Sequence, residues 1–465
     1  MAGLGGLEDL AARRRFGMKP GLGTIRALCA SLGDPQNRFR AIHVAGTNGK
    51  GAVCAMLDAC LREAGFRVGR YTSPHLVNLN ERFFLDGAPV DDRTLERAAE
   101  RVEDRIRRKC PAAGSQNPAA GEEVTFFEAL TAVAFLLYAE ARIDYAVLET
   151  GLGGRLDATN ACEPCLCVIT RIGLDHCDWL GDTIGKIAAE KSGIIKPGVP
   201  IVLGANCDEA RAVVERRARE VGAPFFYAPD IASEGDVPPD FALEGKFNRE
   251  NAVTAIAALR VMEKCGGNRP LRAPATHVEA GGPSGARAGR GAERAVCGVG
   301  GLGKVYWPGR YQRIGDVIVD GAHNPPAARA LAAALDADGV KPKSLVLIAG
   351  FCGDKDVGTV LGTLARFVDR GFAVRTNNPR SLSAEETAAK MRAAGIDATS
   401  CPSLREALTA SRQTPAASRQ TPAASRQPPA TLVAGSLFLA GEALVELGAY
   451  RGGVPRFDPA EKLRR

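Results

Sequence analysis

"RAIHVAGTNGKGAVCAMLDACLREAG", residues 40–65, joins a short apolar run to a glycine-rich turn and then to an amphipathic segment. Residues 40–46 read as a strand, and residues 50–65 carry apolar side chains at helical spacing before closing on Gly65. A strand, then Gly46, Gly49, Lys50 and Gly51, then a helix, is the arrangement that turns backbone N–H groups and a helix N-terminus toward phosphate; a Gly-rich strand-to-helix turn with an incidental lysine is the plainer alternative. The stretch departs from the usual G-x-x-x-x-G-K-[ST] form. Val44 stands at the first glycine position, and Gly51 and Ala52 follow the lysine where a Mg²⁺-reaching hydroxyl is expected.

The same alternation extends outward from this stretch. Strand candidates lie at 66–73, 144–154, 166–173 and 201–206, and 125–143 reads as a long, largely buried helix. Apolar runs unbroken by polar residues, alternating with helices, predict a parallel sheet covered on both faces. Open sheets of this kind bind ligands at the C-terminal ends of their strands. Residues 265–300, rich in Gly, Pro, Ala and Arg, read as a flexible insertion or linker. Beyond them the pattern restarts, with strand candidates at 316–324, 344–350, 372–378 and 431–436. The pattern therefore predicts an α/β fold class, with a parallel-sheet domain carrying the P-loop-type turn over 1–304 and a smaller Rossmann-like α/β domain over 305–465. Within the latter, "SRQTPAASRQTPAASRQPPA" (411–430) repeats a short unit with few large apolar residues and is expected to be a disordered surface loop.

The chain has 465 residues and a net charge of +7, which invites a nucleic-acid reading. Its excess charge is concentrated in two low-complexity segments: 265–300 holds five Arg against two Glu, and 411–430 holds Arg412, Arg419 and Arg426 without an acid. That placement excludes a basic binding face and argues against a nucleic-acid partner. There is no apolar span or leader-like N-terminus, so no membrane is implied and a cytoplasmic protein is expected. Thirteen scattered cysteines point to reduced thiols. Cys162, Cys165 and Cys167 lack a second cysteine pair nearby and read as small hydrophobes rather than zinc ligands.

Five further segments carry candidate chemistry. Ser73 ends the strand after the loop helix, where its hydroxyl could replace the one missing at position 51. Glu149 ends a buried strand, where an unpaired carboxylate is costly and a metal ion would relieve the cost; a strand-end acid facing solvent is the plainer alternative. Asp175, His176 and Asp178 cluster at another strand end, with Lys191 further on. In the second domain Arg310, Asp320, His323 and Asn324 lie near the linker, and Asp354, Lys355 and Asp356 follow a strand. Those last groups are either solvated turns or, if the domains face one another, a cover over the phosphate loop.

Taken in order, "GTNGKG", "TSPHL", "TFFE", "GLGGRLDATN", "GLDHCDWLG", "EKSGIIKPG", "WPGR", "DGAHNP" and "GSLF" strongly resemble the folylpolyglutamate synthase/dihydrofolate synthase family of the Mur ligase superfamily. The resemblance spans nearly the whole chain apart from the two low-complexity segments. It implies an ATP-dependent ligase that adds L-glutamate to dihydropteroate, and to reduced folates, through an acyl phosphate. It makes Gly51 the family's own residue and leaves Ala52, where the family usually has serine, as the main departure. By resemblance, ATP would contact Gly46, Thr47, Asn48, Gly49, Lys50, Gly51, Asn251, Arg310 and Asp320. Ser73, Glu149, His176 and Lys191 (as its carbamate) would hold two Mg²⁺ ions, with a monovalent cation as an optional further ion. Thr125, Phe127, Asp157 and Ala158 would line the pterin pocket. Lys50, His176, Lys191 and His323 would be the catalytic set. A monomer acting on small molecules is expected. The rival readings are another Mur-type ligase with a different acceptor and a nucleotide-binding pseudoenzyme, the latter motivated by Ala52.

Overall fold

The computed structural model describes residues 21–109, 124–265, 298–413 and 431–451. The two low-complexity expectations, at 265–300 and 411–430, fall almost wholly outside them. The described strands are β1 (Arg40–Ala45), β2 (Val68–Tyr71), β3 (Phe83–Leu85), β4 (Ala88–Pro89), β5 (Tyr145–Glu149), β6 (Pro164–Ile169), β7 (Ile201–Leu203) and β8 (Phe225–Tyr227). After the linker come β9 (Gln312–Ile314), β10 (Val317–Val319), β11 (Leu345–Ala349), β12 (Val368–Ala373), β13 (Asp397–Ser400) and β14 (Thr431–Ala434).

The first eight form one sheet in the order β4-β3-β2-β5-β1-β6-β7-β8, and the last six form another in the order β13-β12-β11-β14-β10-β9. Parallel pairing dominates both, as the apolar runs require, but neither is wholly parallel. The β2–β3, β3–β4 and β9–β10 pairs are antiparallel. These edges rest on strands of two or three residues, too short to show a hydrophobic period.

Strand alternation divides the core of the first sheet. Ile42 and Val44 of β1 face one way, into a cluster with the helices Lys50–Glu63 and Lys246–Lys264. Ala41 faces the other way, into a cluster with the helix Phe126–Ala141. Each buried Val or Ile side chain stabilises this arrangement by roughly 1.5–3 kcal/mol. Burial is almost complete along the helix Lys50–Glu63, where Ala52 to Leu61 are all buried. It is therefore an interior helix rather than an amphipathic surface one. Cys162 and Cys167 are fully buried in the same way, and none of the described cysteines is paired. Among the described residues no helix is long and apolar enough to cross a membrane.

Segment 298–304 packs on the first sheet's helix. A side chain at Gly298 would meet the Cys60 carbonyl at 2.1 Å, and one at Gly301 the Ala59 carbonyl at 2.5 Å. Leu76 and Val77, from the turn after β2, instead join the apolar cluster of the second sheet, with Val317, Val319 and Leu439. The two sheets thus share a wall where the candidate residues gather.

Candidate active site

Strands β2, β5, β1 and β6 are neighbours, so the segments leaving their C-terminal ends stand side by side. They carry Ser73, Glu149, Gly46 and His176 respectively. The glycines of the phosphate-type loop are explained by what presses on them. Gly46 has φ +148°, and a Cβ there would sit 1.9 Å from Thr170 Oγ1. Gly49, at φ +88°, abuts the Asn251 amide, whose oxygen would be 2.3 Å from a Cβ. Gly51 lies under the Trp307 indole, with 2.2 Å left for a Cβ. Thr170 Oγ1 also donates to the Asn48 carbonyl at 2.8 Å, tying the loop to β6.

Lys50 donates to the Thr47 carbonyl at 3.2 Å, and its ammonium is 3.9 Å from the Glu149 carboxylate. Glu149 is buried and accepts the Ser73 N–H at 3.0 Å. Burial raises its pKa above the usual carboxylate range, against the pull of Lys50. The turn bearing Ser73 is anchored by Glu81, whose carboxylate accepts the N–H groups of Leu76, Val77 and Asn78 at 2.7, 2.9 and 2.7 Å. Lys191 is buried and donates to the Gly46 carbonyl at 2.6 Å. Burial, reinforced by the Lys50 charge, brings its pKa down to about 7.

His176 is exposed, in a left-handed conformation at φ +53°. The cavity walls beside it nonetheless desolvate the ring in part and lower its pKa, opposed by Asp175, whose carboxylate is 3.9 Å away. Asp175 itself reaches across to the second sheet's loops. It accepts from Asn324 Nδ2 at 2.7 Å and from Lys355 Nζ at 3.2 Å. Burial would raise its pKa, yet the charges of His176, Lys355 and His323 prevail and hold it well below the usual range.

In the second sheet's loops, Asp320 is buried with one oxygen on the Tyr311 N–H (2.7 Å) and the other on the Ala322 N–H (2.8 Å). It thereby shapes the turn that carries Arg310 and His323. A carbonyl can only accept, so the 2.8 Å contact between His323 Nδ1 and the Gly321 carbonyl places the ring proton on Nδ1. Burial lowers the His323 pKa to about 4. On the opposite wall the Thr125 hydroxyl is engaged in a capping box with Glu128, donating to its carboxylate at 2.8 Å. The Phe127 ring lies on the Gly151 backbone, where a Cβ would be 2.5 Å from it. Asp157 is buried, with Ala158 beside it, and accepts the Leu152 N–H at 2.9 Å.

All of the site residues expected from the sequence, except Gly49, Gly51, Asp178 and Asp356, line one cavity of about 620 Å³ between the two sheets. The two glycines support the loop from beneath, and Asp356 instead caps the helix Val357–Leu364, accepting the Thr359 N–H at 3.1 Å. Among the described residues no three His, Cys, Asp or Glu side chains converge as a metal cage. The donors present are a buried carboxylate, a hydroxyl and an imidazole on one cavity. That set suits an ion that completes its shell from water and phosphate oxygens, as Mg²⁺ does.

Sequence reading did not foresee that Trp307 and Thr170 shape the loop, although "WPGR" marked the first of them. Asp175, Asn324 and Lys355 were visible as polar strand-end residues, but their mutual contact was not.

The Mur ligase middle domain matches residues 44–223, and the Mur ligase glutamate ligase domain matches residues 309–420. The dihydrofolate synthase/folylpolyglutamate synthase of Bacillus subtilis (strain 168) is 36% identical over 343 residues, 69% of this chain and 73% of that protein. The chain belongs to the folylpolyglutamate synthase/dihydrofolate synthase family. The family's solved structures share the fold over nearly the full length. The Mycobacterium tuberculosis folylpolyglutamate synthase, complexed with ADP and AMPPCP, superposes with a TM-score of 0.77 at 30% identity, covering 92% of this chain and 96% of that one. The bifunctional family member from Yersinia pestis CO92, complexed with AMPPNP and Mn, gives 0.72 at 27% identity, covering 95% and 96%.

Proposed function

We propose that this protein is an ATP-dependent ligase that joins L-glutamate to the carboxylate of dihydropteroate, and to that of reduced folates, through an acyl phosphate. The observation that carries this reading is the single cavity. It brings Lys50 and Glu149, the Phe127 and Asp157 wall, and Arg310, His323 and Lys355 of the second sheet's loops within reach of one bound assembly. The names of the family members, their nucleotide complexes and the glutamate ligase domain support the same substrates.

The acceptor carboxylate attacks the γ-phosphorus of ATP, ADP leaves, and the amine of glutamate then displaces phosphate from the acyl carbon. A carboxylate is a poor acyl donor and both partners are anions, so positioning and charge neutralisation supply most of the catalysis. Lys50, Arg310 and the loop N–H groups of residues 46–51 are assigned to the nucleotide phosphates, with Asn251 and Asp320 as further nucleotide contacts. Thr125, Phe127, Asp157 and Ala158 are assigned to the pterin side. His323 faces the phosphates as a neutral imidazole.

Ser73, Glu149, His176 and carbamylated Lys191 are assigned as ligands of two Mg²⁺ ions. When bound, such ions neutralise phosphate charge. The amine of Lys191 is buried and carries a depressed pKa, and the neutral amine is the form that reacts with CO₂. We place the domain division at 304/305, because residues 298–304 pack on the first sheet's helix. The second domain covers the cavity and shields the acyl phosphate from water. The protein acts as a monomer in this reading.

An omission assay tests the reading. Sustained ADP release should require dihydropteroate and glutamate together; sustained release with ATP and glutamate in the absence of dihydropteroate would point to a different acceptor. ATP binding without any turnover would support a pseudoenzyme.

A further inference from the structure

Behind the Asp157 carboxylate runs a chain of buried hydrogen bonds that the ligase chemistry does not call on. Thr159 Oγ1 lies 2.5 Å from Asp157 Oδ1, and a carboxylate accepts, so the hydroxyl proton points at Asp157. His43 Nε2 lies 2.8 Å from the same hydroxyl oxygen. That oxygen has committed its proton, so Nε2 must carry an N–H and donate. The tautomer is thereby fixed, and Nδ1 is left as an acceptor that is buried and has no hydrogen-bond partner among the described residues.

An apolar side chain would serve β1 better. The strand is held through backbone pairing of His43 with Leu148 and Cys167, which needs no imidazole. A buried acceptor left bare lowers stability. Any return on a fully buried histidine must therefore lie at the far end of the chain, at Asp157. There the Thr159 N–H (3.0 Å) and hydroxyl hold one carboxylate oxygen and the Leu152 N–H (2.9 Å) holds the other. With three donors fixing its plane, the carboxylate keeps one lone pair, on the oxygen that Leu152 holds, for the cavity that it lines.

We propose that His43 is a positioning residue. Through Thr159 it sets the orientation in which the free lone pair of the Asp157 carboxylate accepts an N–H of the acceptor's aminopyrimidine edge. The inference rests on the assignment of Asp157 to the pterin side.

The test measures KM for dihydropteroate, KM for ATP and kcat in the full-length protein and in His43→Leu, His43→Gln and Thr159→Val. His43→Leu should raise KM for dihydropteroate at least tenfold while KM for ATP and kcat stay within about twofold. His43→Gln, whose amide can still donate to Thr159, should recover most of that loss. Thr159→Val should match His43→Leu, and combining them should add little, because both break one chain. If His43→Leu does not fold, Thr159→Val carries the same comparison. A parent enzyme that turns over dihydropteroate while both variants keep its KM would overturn the relay alone. Proportional losses in all three parameters, without rescue by Gln, would make His43 merely structural and overturn it too. A parent that neither binds nor uses dihydropteroate would overturn the proposed function and the relay with it.

Discussion

Gly51→Ser restores the G-K-[ST] ending that the loop lacks, and the structure predicts that it does harm. Position 51 is the second residue of the helix Lys50–Glu63, where serine has the better intrinsic propensity, so local reasoning predicts a small gain. The tertiary contact reverses the sign. A Cβ at this position would lie 2.2, 2.7 and 3.1 Å from three atoms of the Trp307 ring. Ordinary carbon contacts are about 3.5–4.0 Å, so the ring must retreat by more than about 1 Å. It has little room, because the Arg70 guanidinium lies 5.6 Å from its centroid and is itself paired with buried Asp58 at 3.2 Å. Overpacking of this kind costs about 1–3 kcal/mol. If the loop bears that strain, affinity for a non-hydrolysable ATP analogue falls about 5- to 150-fold. Calorimetric titration of parent, Gly51→Ser, Trp307→Ala and the double variant reads this directly. The double variant should bind better than Gly51→Ser alone. Binding by Gly51→Ser at the parent's affinity, or no recovery on removing the indole, would refute the steric account.

Three other outcomes follow from the same geometry. Ala52→Ser should change kcat/KM by less than about twofold, because Ala52 is buried in the helix core and its hydroxyl can satisfy itself on the preceding turn; a large gain would show the loop to be impaired. Lys191→Ala should lose ligase activity and regain part of it with short carboxylic acids, whereas full activity would remove Lys191 from the metal-ligand set. His43 titrates at about 3 in the fold against 6.5 unfolded, through burial and then the Lys196 charge. The unfolded chain thus binds this proton first, and stability should fall as pH drops from about 6.5 toward 3, by up to roughly 5 kcal/mol. Urea midpoints across that window should flatten in His43→Gln, and an unchanged slope would contradict the shift.

What was legible in the sequence is what local pattern encodes. The runs at 40–46, 144–154 and 344–350 are buried on both faces, so they announce parallel strands without any partner in view. Gly46, Gly49 and Lys50 likewise announce a loop at a strand end. β12 begins at Val368, earlier than the apolar run suggests, because Asp369 and Arg370 are exposed on it and mask the strand. The antiparallel edges β3, β4 and β9 are too short to carry a period. The contacts that shape the site span the chain: Trp307 on Gly51, Asn251 on Gly49, and Asn324 and Lys355 on Asp175. Pairings over that separation follow from the sheet order, which no local window contains. His43 looked like one more residue of an apolar strand, and only its distance to Thr159 distinguishes it.

The central claim is that the acceptor carboxylate is phosphorylated before glutamate attacks. Dihydropteroate carrying ¹⁸O in its carboxylate, turned over with ATP and glutamate, tests it most directly. The account predicts one ¹⁸O in each phosphate released and one retained in the new amide. Phosphate released without label during product formation would contradict it.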